Sequence, residues 1–161
     1  MRDMERVAIE IRSAAMGDPW YGVSVASALE GVDHDMASAR VPGLAHSIWE
    51  QVLHMTAWAD WVERRLPSGA AELPADGGWS EIGRADAASW QAAIDDLRAT
   101  RERLAAAVEA LPDGTADEMP KADLVDDFGQ PVTWYRIISG VAQHDAYHCG
   151  QIVLLKKLLA R

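Results

Sequence analysis

Four stretches of this chain carry apolar residues at the helical period, and none alternates apolar with polar residues in the manner of a sheet face. Helix-on-helix packing is therefore the architecture open to it. In residues 3–16, Met4, Val7, Ala8, Ile11 and Ala15 recur at helical spacing until Gly17, Asp18 and Pro19 interrupt them. The next segment, WYGVSVASALEGV, sets Trp20, Val23 and Leu29 near the same spacing. Its valines and serines would also suit a strand, but it reads as helix, so the first helical region is kinked or split. Ile48, Val52, Met55, Trp58, Trp61 and Val62 mark a second helix running to about Leu66. The quartet SIWE at its head fits a capping box, Ser47 with Glu50, with the helix starting there or a few residues earlier. Asp86 is placed to cap a third helix whose stripe is Trp90, Ile94, Leu97, Leu104, Val108 and Leu111, ended by Pro112, Asp113 and Gly114. Pro131 is expected in the first turn of a fourth, which carries Trp134, Ile137, Ile138, Val141, Ile152, Leu155 and Leu159. Lys156, Lys157 and Arg161 suit its negative dipole end. The expected fold is thus all-α, a four-helix bundle. The two long loops, around residues 67–85 and 112–130, could each reach about 60 Å when extended, so loop length leaves the order of the helices open.

The chain's 161 residues are enough for one domain with a full core. A formal net charge of −10 argues against a nucleic-acid partner, which would need clustered Lys and Arg. Charged residues break every apolar stretch well before the roughly 18 residues a membrane span requires. Cys149 is the sole cysteine, which excludes an internal disulfide, and no basic segment followed by an apolar run opens the chain. These features lead to an expectation of a cytoplasmic protein with no membrane partner.

Within the fourth helical stretch, His144 and His148 stand four residues apart in QHDAYHCGQIVLL. That spacing puts two side chains on one helix face with Cβ atoms roughly 6 Å apart, close enough to share an ion. His54 lies mid-helix among Val52, Leu53 and Met55. One ligand from that helix and a pair from the other would make a three-histidine site inside a bundle. His46 is a rival ligand, but eight residues before His54 it is rotated by about 80° on an ideal helix, and a terminal or capping role suits it better. His34, in the polar GVDHDMAS, reads as a solvated surface residue. Cys149 diverges by about 100° from its neighbour His148 and reads as a small buried thiol. Asp145 occupies the place of the glutamate in the H-E-x-x-H zinc peptidase motif, but its shorter side chain lacks the reach.

HSIWEQVLHMTAWADW resembles the second-helix motif of the DinB/YfiT-like superfamily, HDAYHCGQIVLLKK resembles its closing H-x3-H-x-GQ segment, and DPWYGVSVASALEGV is similar to its opening region. The resemblance implies a bundle of up-down-down-up topology, commonly dimeric, that binds a divalent metal through three histidines. Carried across by motif position, these are His54, His144 and His148. Some members transfer low-molecular-weight thiols such as bacillithiol or isomerise maleylpyruvate with mycothiol, and the family is not thought to act on DNA.

Three imidazoles leave a coordination position open to water or substrate, as in catalytic rather than closed structural sites. The leading expectation is a metal-dependent enzyme, such as a small-thiol S-transferase. The alternatives are a metal-dependent hydrolase and a noncatalytic metal- or small-ligand-binding stress-response protein. Zn²⁺, Ni²⁺ and Fe²⁺ all accept imidazole. Trp20, Tyr21 and Trp58 are candidate walls of a substrate pocket, and no catalytic residue beyond the ligands stands out. A homodimer is also expected, since seven tryptophans exceed what one small core readily hides.

Overall fold

A computed structural model of the chain describes residues 1–66, 72–120 and 131–160. The described residues form six α-helices: α1 (Asp3–Met16), α2 (Val25–Leu29), α3 (His34–Ser38), α4 (Ile48–Arg65), α5 (Ala87–Glu109) and α6 (Trp134–Leu159). Two 3₁₀ turns, Ala75–Gly78 and Thr115–Asp117, lie in the long connections.

The helix starts follow local side-chain chemistry. Ser47 caps α4: the Glu50 amide donates to its Oγ at 3.3 Å, while the Ser47 amide donates to Glu50 Oε2 at 2.8 Å, the reciprocal pair expected of SIWE. Asp86 caps α5 by accepting from the Ser89 amide at 2.8 Å. At the last helix the expectation fails. The cap of α6 is Thr133, whose hydroxyl accepts from the Arg136 amide, so Pro131 lies outside the first turn. A hydroxyl that satisfies a free amide three residues further on is the stronger start signal. The segment WYGVSVASALEGV is also less helical than its spacing suggests. Ser24 accepts from the Ser27 amide and begins the short α2, leaving Trp20 and Tyr21 in the preceding turn. The first helical region is therefore split rather than continuous, and α3, opened by the Asp33 carboxylate, is an additional short helix that starts at His34.

Side-chain pairs between the long helices define the topology. Arg2 at the head of α1 donates to the carbonyls of Glu109 and Leu111, and Arg12 pairs with Glu102, so α1 and α5 run antiparallel. Trp49 meets Trp90 at the heads of α4 and α5, and Glu63 meets Arg103 near their tails, so those two run parallel. Gln51 reaches His148 while Trp58 reaches His144, so α4 and α6 run antiparallel. The order is up-down-down-up, and the connection between the parallel α4 and α5 is long because it must return along the bundle.

Two apolar clusters fill the interior. One joins Val7 and Ile11 of α1 to Val62, Leu104 and Ile138, and the other joins Val25 of α2 to Val52, Leu97 and Ile152. Each large side chain so buried contributes about 1.5–3 kcal/mol. Between the clusters, α4, α5 and α6 each contribute buried polar residues: His54, Arg101, and Asp145 with His148. The two cores thus enclose a polar layer, and the candidate ligands lie in it.

Candidate metal centre

The polar layer brings His54, His144 and His148 together. Nε2 of His144 lies 3.1 Å from Nε2 of His54 and 3.0 Å from Nε2 of His148. Among the described residues these three histidines form the cluster of potential ligands, with their ligand atoms all within 4.8 Å of one another. A tetrahedral ion with metal–nitrogen bonds of 2.0–2.1 Å would separate its ligand atoms by about 3.3 Å, so only small side-chain adjustments separate this arrangement from a coordinating one. His54 and His148 are buried, and His144 is half-buried.

The protonation chemistry agrees with that geometry. Burial, joined by a smaller effect of neighbouring imidazoles, depresses the pKa of each of the three imidazoles to about 4. At neutral pH all three are uncharged and can offer nitrogen lone pairs. Two amide oxygens orient His148: its Nδ1 donates towards Gln51 Oε1 at 3.0 Å and Gln151 Oε1 at 3.1 Å. That fixes the proton on Nδ1 and leaves Nε2 free to ligate, the supporting contact usual for metal-bound histidines. The donor set and its hydrogen bonding therefore fit a divalent cation.

A turn around Trp79, in the long connection between α4 and α5, flanks the histidines. Trp79 is sandwiched between two imidazoles, stacking on His54 at 3.8 Å and on His46 at 3.5 Å between ring centroids. His46 lies just before the α4 cap, packs against Trp79 and stays outside the cluster. The turn is held to α4 by the Trp58 indole N–H, which donates to the Gly77 carbonyl at 2.9 Å. Gly78 permits that approach: its φ is +82°, and a Cβ there would meet the Trp58 ring nitrogen at 3.2 Å. No periodicity singles out Trp79, because it belongs to no helix stripe. Gln51 was legible in principle, lying one turn before His54 on the same helix.

Asp145 is taken up by Arg101, although its charge still acts on the neighbouring His144 and His148. It accepts a two-pronged hydrogen bond from Arg101, Nε to Oδ2 at 2.8 Å and Nη2 to Oδ1, and Arg101 Nη2 also donates to the Met55 carbonyl at 3.1 Å. The pair is 1% and 0% exposed. The carboxylate next to His144 is thereby committed to structure. Cys149 is buried in the second apolar cluster, and burial pushes its thiol pKa up to about 12, so it stays protonated at neutral pH.

A cavity of about 440 Å³ opens beside His54 and His144, and Trp58 forms part of its wall. Trp20 and Tyr21 border a different hollow, of about 260 Å³, between α1 and α6. Trp20 is 97% exposed there. The structure thus groups Trp58 with the histidines and sets Trp20 and Tyr21 apart from them.

A helical bundle whose polar layer gathers three neutral imidazoles from two antiparallel helices defines a class of candidate metal-binding bundle proteins. The sequence matches the DinB superfamily over residues 24–152, a span that holds all three histidines, and the chain belongs to that superfamily. Comparisons with curated proteins and with solved structures gave no significant match.

Proposed function

We propose that this DinB-superfamily protein is a metal-dependent enzyme in which His54, His144 and His148 hold Zn²⁺, Ni²⁺ or Fe²⁺ and a small thiol is transferred to an electrophile. The observation that carries the reading is the convergence of three uncharged Nε2 atoms beside a cavity large enough for a small molecule. When bound, the metal would stabilise thiolate over thiol and so raise the population of the nucleophile at pH 7. The residues around it have separate parts. Gln51 and Gln151 keep the His148 proton on Nδ1. Trp79 braces the His54 ring by stacking, and Trp58 forms one wall of the substrate space. Cys149, held as a thiol by burial, is not the nucleophile.

The commitment of Asp145 to Arg101 favours thiol transfer over hydrolysis, because a hydrolase would need a free base near the ligands to activate water. The same fact favours, as a second reading, a noncatalytic protein that binds a metal or small ligand. A homodimer forms part of the proposal. Trp49, Trp61, Trp90 and Trp134 are buried and Trp58 and Trp79 pack about the site, so exposed Trp20 is the tryptophan left to support association.

The test measures metal content after dialysis, then thiol consumption with bacillithiol, mycothiol, glutathione and coenzyme A under each metal. Wild type and Cys149→Ala should retain metal and activity, His148→Ala should lose both, and one or two thiols should dominate. Retention of metal by the His54, His144 and His148 alanine variants would overturn the ligand set. A filled site with no thiol consumption above the metal-only background would overturn the transferase reading in favour of the binding protein.

A further inference from the structure

We infer that the cavity beside His54 and His144 is a subsite for an uncharged hydrocarbon group, aliphatic or aromatic, carried by the small molecule whose reacting atom sits at the three-histidine centre. This specifies the substrate class of the proposed site and rests on that reading for the position of the reacting atom.

Three observations carry it. The first is the chemistry of the wall. Apart from the two histidines, the cavity of about 440 Å³ is bounded by tryptophan, valine, isoleucine and glycine, Trp58, Val62, Ile137 and Val141 among them. The described wall residues include no Lys, Arg, Asp or Glu, and the Trp58 N–H is already committed to the Gly77 carbonyl. A carboxylate or phosphate entering there would surrender its hydration with no cationic side chain among those wall residues to receive it. The second is position. His144 and His54 belong both to the ligand cluster and to the wall, so a group in the cavity lies directly beside an atom held at the cluster.

The third is Gly140. It lies inside α6, exactly one helical step of four residues before His144, where glycine is a poor helix former. Packing does not demand it: a Cβ built there would meet no atom within 4 Å. Gly140 lines the cavity, so a larger side chain there would stand at the cavity's edge. The helix forgoes a better helix former at the position where one would narrow the room next to His144.

The experiment titrates the linear alcohols from butanol to octanol into metal-free and zinc-loaded protein, following tryptophan fluorescence and the methyl resonances of Ile137. Affinity should climb by about three- to fourfold per methylene until the cavity is full, in both forms of the protein. Gly140→Leu, a better helix former that places its side chain in the same space, should abolish the climb while leaving the zinc content unchanged. In the metal-free protein, carboxylates of matching length should bind more weakly than the alcohols. A flat series in wild type, a climb unaltered in Gly140→Leu, or tighter binding of the carboxylates by the metal-free protein would each overturn the assignment. Zinc content is read separately, so failure of the metal site is distinguishable from failure of this subsite, which the metal-free titration tests alone.

Discussion

Asp145→Ala should destabilise the protein by about 3–5 kcal/mol, the usual cost of removing one partner from a buried ion pair. Asp145 is 0% exposed and Arg101 is 1% exposed, so water cannot replace the lost carboxylate. Among the described residues, Arg101 would keep one hydrogen bond, to the Met55 carbonyl, and its buried Nη1 has no partner. Native domains are stable by about 5–15 kcal/mol, so the loss is a large fraction of the whole. For a chain of this size each kcal/mol moves the melting temperature by about 2–4 °C, giving an expected drop of roughly 6–20 °C. Asp145→Asn retains one acceptor oxygen and should fall between wild type and alanine. The double variant Arg101→Met with Asp145→Leu removes both charges and should recover much of the loss, since an apolar pair of similar volume is often no worse than a buried ion pair. Urea titration of the metal-free protein measures all four. A loss below about 1 kcal/mol in Asp145→Ala would refute the reasoning, as would a double variant less stable than the single one. Asp145→Asn should still bind metal, because the carboxylate is hydrogen-bonded to Arg101 and is not one of the clustered ligands.

Three further outcomes follow from the site. Gln51→Ala should weaken metal binding about tenfold, since Gln151 still orients His148, and the Gln51→Ala, Gln151→Ala double variant should weaken it about a hundredfold; chelator competition measures both, and an unchanged double variant would remove the orienting role. The three imidazoles have folded-state pKa values of about 4 against an ordinary 6.5, so between those values the unfolded chain binds more protons. Their contribution to stability is therefore complete above about pH 6.5 and is lost as pH falls towards 4; urea titrations of metal-free protein at pH 7, 6 and 5 should show the decline, and a flat profile would contradict it. Sedimentation at micromolar concentrations should find a dimer, and a single 17.6 kDa species would exclude it.

The sequence by itself determined the features that depend on near neighbours along the chain. The apolar periods of α1, α4, α5 and α6 are such features, as are the Ser47 and Asp86 caps, because a cap and the amide it satisfies are three residues apart. His144 and His148 share a face through helix geometry alone, and their motif, with that around His54, resembles a known family without reference to any fold. Local signals misled where two competed: Pro131 and Thr133 both suit a helix start, and the hydroxyl prevailed. Tertiary structure decided everything that joins distant segments. Periodicity identifies an inward face but does not say which face it meets, so the parallel pairing of α4 with α5 was legible only through the family resemblance, and the Arg101–Asp145 bond, 44 residues apart, was beyond sequence reading. The same holds for Gln51 with His148, 97 residues apart, and for Trp79 between His46 and His54. Those contacts form only when packing of the two apolar clusters brings the polar layer into register, and that layer is where the histidines converge.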